Sequence, residues 1–459
     1  MTKDVEALYA ERLKRYQATI ALVVPDRVPI SSGSNYFAEV YGGHTTQEFI
    51  YDASKWSEAD NKFVHGFPEV DTFCSGRFWG PLQDAVGSNL YKFPGRDLPS
   101  HTQFQFVEGE RMKSDEYDLL INNPVEFLFE RYLPRALNDF SAPGSIRSFM
   151  ALIKGSTASA MAGALMRTRA QHLQNELGMP QSMGGVFLAP FDYLADGLRG
   201  LRGIMMDVRR QPNKIQEACE ALVPDIVNAA LAIADPLRRY PIFVPLHRGA
   251  FPFLSPKQFA ELYWPSLKKV MLLLIEAGYT IRAYLEGDWG PNWHHFRELP
   301  KGKVLCDIDV QGDIFKAKED LGGYQCIAGG VPDSLLILGM PDEVRARVKL
   351  LCETVAKDGG FIINGGCGIP YDTKPENFRA MINATLEFGR YSDTTNFKNF
   401  ELQINPNPPA GWQPPKRRVA TPWEVKLGEL GGITGDETMI KSNWESLEHM
   451  AFNWIFSWL

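Results

Sequence analysis

The chain runs to 459 residues with 44% hydrophobic and 22% charged side chains, a globular balance that excludes disordered and fibrous classes. Forty-eight Lys and Arg against 55 Asp and Glu leave a net charge of −7, which excludes the broad basic surface that general nucleic-acid binding needs. The opening residues Lys3, Asp4, Glu6, Glu11 and Arg12 do not form a secretory signal, and no stretch reaches the roughly 18 uninterrupted apolar residues of a membrane span.

Six cysteines are scattered without a CxxC pair, as in a reducing compartment. The expectation is a cytoplasmic protein that takes a small molecule and engages neither nucleic acid nor membrane. In chain order, apolar runs closed by Gly, Pro or polar residues predict strands over 28–30, 70–74, 183–188, 242–246, 279–285, 304–310, 325–329 and 361–364. Helical patterns lie between the later ones. Ser255 caps a stripe through Phe259, Leu262, Leu267, Val270 and Leu274, which Gly278 closes. Two more helices are expected, one opening at Pro341 and one over 373–391. Eight strands separated by helical crossovers predict an α/β protein, an (α/β)₈ TIM barrel, with an open doubly wound sheet as the alternative. Neither GxGxxG nor GxxxxGK[ST] occurs, which weakens the open-sheet alternative.

Residues 1–392 are read as the barrel. Within them 77–150, rich in Pro, Phe and Asp, is expected to be a loop-rich insertion over its mouth. Residues 393–459 form a C-terminal extension ending in a Trp-rich helix, expected to pack on the barrel or on the second copy of a homodimer.

In a barrel, chemistry sits at the C-terminal ends of strands. Those ends offer Asn35 and Tyr36, then Arg77, Phe78 and Trp79, then His247 and Arg248. Glu286, Asp288 and Trp289 follow the fifth strand, Asp307 and Asp309 the sixth, and Asn364 through Cys367 the eighth. His247 suits a ligand, general acid or hydrogen-bond donor, against a structural His held by a carbonyl. Glu286 and Asp288, one residue apart beside Gly287, could divide acid and base work, although Asp288 is also placed to cap the next helix. Cys367 lies among glycines that allow close backbone approach, so its thiolate could serve as a soft ligand. Asn35, Tyr36, Trp79, Trp289 and Asn364 are expected to touch substrate, and the aromatic residues Phe251, Phe253 and Trp293 add to an apolar wall.

The run Gly365-Gly366-Cys367-Gly368-Ile369-Pro370, followed by Thr373-Lys374-Pro375-Glu376-Asn377, resembles the C-terminal motif of the uroporphyrinogen decarboxylase superfamily. The similarity is greatest to its cobalamin-dependent methyltransferase branch. Pro190-Phe191-Asp192-Tyr193-Leu194 and Gly329-Gly330-Val331-Pro332 support it in order along the chain. The resemblance covers most of residues 20–392 and implies a barrel fold. The family's decarboxylases hold porphyrinogen carboxylates with an Arg-rich N-terminal motif; here Ile30 to Phe37 carries no Arg. Its thiol-methylating members bind zinc through a His-x-Cys pair and a later Cys, whereas Tyr284 and Glu286 stand in the pair's place here and Cys367 in the later one's. The resemblance therefore implies a demethylase of a small aromatic methyl ether or related methylated compound, with Glu286, Cys367 and His247 as zinc ligands. Its methyl acceptor would be a cobalamin (corrinoid), free or on a separate protein, because no DxHxxG corrinoid signature occurs in this chain. The alternatives are a cofactor-free decarboxylase or lyase using Asp288 or Asp307, and a ligand-binding barrel without catalysis.

Overall fold

A computed structural model describes residues 3–75, 79–366 and 368–458. Five parallel strands run side by side in chain order: β3 (Ile242–Leu246), β4 (Ile281–Leu285), β5 (Val304–Ile308), β6 (Cys326–Gly330) and β7 (Phe361–Asn364). A second parallel set joins β1 (Ser31–Asn35) to β2 (Thr72–Ser75) and to the short strand Ile369–Pro370. The two sets are linked at both ends. Ile30 bridges Ile363 in parallel, and Ile363 N donates to Pro29 O at 3.0 Å. On the other side Phe73 N donates to Pro180 O at 3.0 Å, and Val186 bridges Phe243. Parallel strand segments thus follow one another in a circuit.

Alternation along each strand divides its side chains between two environments. Register places Arg282, Tyr284, Leu305, Asp307, Cys326, Ala328, Ile362 and Asn364 on one face. At one end of that face Leu305, Cys326, Ala328 and Ile362 pack against Tyr16 and Ile20 of the N-terminal helix Lys3–Ile20. The opposite face, with Ile281, Ala283, Leu285, Ile308, Ile327 and Ile363, joins the main core beneath the helices. Ser255 and Gln258 form a capping box at the helical segment Pro256–Glu276, as the sequence indicates.

Three expectations need correction. The first strand is the polar run Ser31–Asn35, not 28–30. Its backbone is paired on both sides, so hydrogen bonding decides the conformation where side-chain apolarity does not. The third strand, expected over 183–188, is reduced to the bridge at Val186. The segment expected to be loop-rich contains helices at Gly80–Ala85, Tyr117–Asn122 and Pro124–Phe127, and leads into the helix Ile146–Leu177.

That 32-residue helix is long and apolar enough to cross a membrane by length and composition, yet only 17% of its apolar window is buried. Phe149, Ile153 and Met161 stand exposed on it. Lys154 and small polar residues interrupt the run, which is why a search for uninterrupted apolar residues passes over it.

The C-terminal residues form a strap. Gln17 and Gln403 exchange two hydrogen bonds, Asn405 N donates to Leu237 O, and Asn228 Nδ2 donates to Pro415 O. Arg418 then pairs with buried Asp225. Burial pushes that carboxyl up to about 6 against the pull of Arg418 and Arg417. The final helix, Glu437–Phe456, is capped by Asp436 and buries Phe452, Ile455 and Phe456. Trp454 packs 5.7 Å from the Phe140 ring, and Tyr132 Oη donates to Trp458 O at 2.7 Å.

Candidate active site

The site grows from the turn that follows β3. Backbone N–H groups of His247 and Arg248 donate to the two oxygens of Asp192, each at 3.0 Å, and Tyr263 Oη donates to the same carboxylate at 2.7 Å. Asp192 therefore fixes the course of the chain as it leaves the strand. One helical turn later, Asp196 holds the two side chains themselves. Its Oδ2 takes His247 Nδ1 at 2.6 Å, and its Oδ1 takes Arg248 Nε at 2.7 Å. Both acids lie on the helical segment Pro190–Arg199. The segment after β2 lies over it: Arg111 N and Met112 N donate to Leu198 O at 2.7 and 2.8 Å.

With Nδ1 committed to Asp196, His247 Nε2 is left facing Glu286, 3.7 Å from Oε2. Burial opposes a charged ring, but the Asp196 hydrogen bond and the charges of Asp192, Asp196 and Glu286 outweigh it and push His247 up to about 9. At neutral pH it is an imidazolium. Burial also raises Asp196, yet His247 and Arg248 overcome this and hold it below the usual carboxylate range. Asp192 is pushed up to about 6, by burial first and then by Asp196, against His247 and the Tyr263 hydrogen bond.

Glu286 is 54% exposed at its side chain, so it stands at the solvent-facing mouth. Its loop is held from β4 and β5: Tyr284 Oη donates to Asp309 Oδ1 and Gly287 N to Asp309 Oδ2, both at 2.8 Å. Gly287 has φ +89°, a left-handed conformation that makes glycine the natural residue there. Val310, which follows Asp309, approaches Gly366, whose N–H donates to Asp333 at 3.1 Å. Cys367 itself lies outside the described residues, as do Arg77 and Phe78, so its expected convergence with Glu286 is not addressed by these contacts. Among the described residues no three His, Cys, Asp or Glu side chains form a metal-binding group.

Several expected contacts go elsewhere. Trp289 is buried in the core, its ring 5.6 Å from Phe259 and 5.9 Å from Tyr263, with Nε1 donating to Glu286 O; it supports the loop from behind. Trp293 is likewise buried. The Asn364 side chain turns back on its own loop, accepting from Gly365 N and donating to Gly366 O, because the close turn leaves its carbonyl and amide those partners. Asp288 accepts from Gly290 N at 2.9 Å, one residue ahead of the position that caps the helical segment Gly290–Glu298. Tyr36 is 8% exposed and packs edge-on against Phe49 and Phe104, in an aromatic cluster that half-buried Trp79 also joins. Asn35 belongs to β1, and its side chain is outside the described set. Asp307 is sealed in an ion pair with Arg282. Phe251 and Phe253, by contrast, are 49% and 39% exposed beside His247 in the chain.

Sequence reasoning passed over Asp192 and Asp196. Their signal was two acids spaced one helical turn apart, within a segment noted only for its resemblance. The close fit behind the site also yields a prediction. A Cβ at Gly249 would stand 2.4 Å from Trp289 Cη2 and 2.9 Å from Tyr263 Cε1. Gly249→Ala is expected to cost about 1–3 kcal/mol by overpacking. Denaturant unfolding measures this, and an unchanged midpoint would contradict the packing described.

Comparison with known proteins fits this architecture. The profile of the Uroporphyrinogen decarboxylase (URO-D) family matches residues 158–388. The uroporphyrinogen decarboxylase of Methylococcus capsulatus is 30% identical over 87 residues, covering 19% of this chain and 25% of that protein. That of Vesicomyosocius okutanii subsp. Calyptogena okutanii is 26% identical over 88 residues, covering 18% and 25%. The chain thus matches about a quarter of the length of these curated relatives. A methyltransferase from Methanosarcina mazei is similar in structure, with a TM-score of 0.56 at 16% identity, covering 82% of this chain and 98% of that one. The profile match spans half the chain, and the chain belongs to the uroporphyrinogen decarboxylase (URO-D) family.

Proposed function

We propose that this protein is a methyltransferase that removes the methyl group of a small aromatic methyl ether, with a corrinoid as acceptor. In this reading the circuit of parallel strands is an (α/β)₈ barrel and the segment from 79 to 150 covers its mouth. The observation that carries the proposal is the His247 ring, anchored by Asp196 at 2.6 Å and directed at Glu286, beside exposed Phe251 and Phe253.

In the reaction the methyl carbon–oxygen bond breaks, the methyl passes to the acceptor, and the oxygen leaves as a phenolate. A poor leaving group of this kind needs a proton or a hydrogen bond as its charge develops. Nε2 of His247 supplies it, while Asp196 steadies the ring through Nδ1 and Glu286 fixes the direction of the other edge. A reduced corrinoid supplies the nucleophile when it is bound. The exposed Phe251 and Phe253 give the site an apolar rim suited to the aromatic ring of the substrate.

Zinc suits part of the same donor set. A His whose Nδ1 is held by a carboxylate presents Nε2 to a metal that displaces its Nε2 proton, and the 3.7 Å between Nε2 and Glu286 Oε2 is close to the separation of two ligands about 2.0–2.1 Å from one ion. His247, Glu286 and Cys367 would hold it, and it would polarise the ether oxygen as a Lewis acid. The cofactor-free decarboxylase reading is less favoured, since Asp288 is engaged by Gly290 N and Asp307 in an ion pair.

The test is spectroscopic. Reduced cobalamin mixed with enzyme and an aromatic methyl ether is expected to convert to methylcobalamin, with release of the phenol. Metal analysis of the same preparation separates the two uses of His247. One bound zinc, lost in Cys367→Ser, supports ligation; no zinc with transfer intact supports the proton role. Binding without methyl release would leave a non-catalytic ligand-binding barrel.

A further inference from the structure

We infer that Arg248 and Phe253 form a carboxylate-binding subsite, so that the substrate is an aromatic acid bearing the methyl ether. This deepens the methyl-transfer proposal and rests on it. Arg248 is anchored at two points, its backbone N–H on Asp192 Oδ1 at 3.0 Å and its Nε on Asp196 Oδ1 at 2.7 Å. Among the described residues, no hydrogen bond or ion pair occupies its two terminal nitrogens. Its guanidinium lies over the Phe253 ring, 5.3 Å from the centroid, and that ring is 39% exposed. Stacking and the Nε contact fix the plane of the group and leave its outer edge as a paired donor. A paired donor of this geometry matches the two oxygens of a carboxylate.

The surrounding charges allow an anion there. Asp196 spends one oxygen on His247 and the other on Arg248. Glu286 lies across the imidazole, against Nε2. The other acids whose charge reaches Arg248 are Asp192, which is already held by two backbone N–H groups and Tyr263, and then Glu108. Because Arg248 follows His247 directly, a carboxylate held by the first is near the ring of the second. An aromatic spacer between carboxylate and ether then brings the ether oxygen toward His247 while it stacks on Phe251 and Phe253.

The test is equilibrium binding by calorimetry, with no methyl acceptor present. The probes are para-methoxybenzoate and its neutral counterpart para-methoxytoluene. Wild-type protein is expected to bind the acid at least about tenfold more tightly, with the difference shrinking as salt is raised. Arg248→Met should abolish that preference by weakening the acid alone. Arg248→Lys, which keeps the charge without the fork, should restore only part of it, and both variants should retain the wild-type circular dichroism spectrum. Equal binding of the two probes by wild-type protein, failure of both to bind, or a preference that survives in Arg248→Met would overturn the subsite. The two proposals fail separately. Arg248-dependent binding of the acid with no methyl release to reduced cobalamin upholds the subsite and sinks methyl transfer. Methyl release from both probes alike, unaffected by Arg248→Met, does the reverse.

Discussion

His247→Gln is expected to slow methyl release by about 10²–10⁴-fold, the range lost when a positioned proton donor is removed. Gln keeps a hydrogen-bonding edge but cannot carry the proton. Asp196→Asn provides the sharper measurement, since it leaves the ring in place and removes its charged anchor. Wild-type His247 is charged up to about 9, so the proton-dependent rate should persist through neutral pH and fall as pH rises through about 9. In Asp196→Asn that fall should move to lower pH, and an NMR titration of the His247 ring should move with it. The same linkage sets a sign for stability. A His whose folded value lies above the unfolded one contributes stability that is complete below about 6.5 and is lost as pH rises through about 9. A rate profile that Asp196→Asn does not move would remove His247 from the proton role.

Deleting residues 437–459 should produce the largest stability loss. Phe452, Ile455, Phe456 and Trp458 are each buried to within 4% of full coverage, and burial of one such side chain is worth about 1.5–3 kcal/mol. The deletion would also uncover Phe140 and the edge of Gly155, which Trp454 approaches. A loss of more than about 5 kcal/mol is expected, a large part of the stability of an ordinary domain. Phe456→Ala alone should cost about 3–5 kcal/mol. Thermal and denaturant unfolding check both, and a truncated chain that unfolds at the wild-type midpoint would show the helix to be dispensable.

The sequence made the strands β3 to β7 legible because each is an apolar run flanked by Gly, Pro or a helix cap. β1 was misplaced because its residues, Ser31–Asn35, signal a turn by composition and become a strand only through partners far along the chain. The same division runs through the site. Strand-end position was enough to find His247 and Glu286, which do face one another. It could not say which way a strand-end side chain turns, and Trp289 and Asn364 turn into the core and into their own loop. Asp192 and Asp196 escaped notice because their work is tertiary: both meet residues more than fifty positions away.

The strap bears on the order in which the molecule can be completed. Tyr132 and Trp458 are separated by 326 positions, so the hydrogen bond joining them waits until that length of chain has been made. Until then Tyr132, Phe140 and the small residues around Gly155 have been synthesised without the helix that covers them. Contacts this distant form slowly, and apolar surface left open in the interval invites association with other chains. A chain whose final helix has not yet docked therefore carries an open apolar seat that the stability of the finished fold does not reveal.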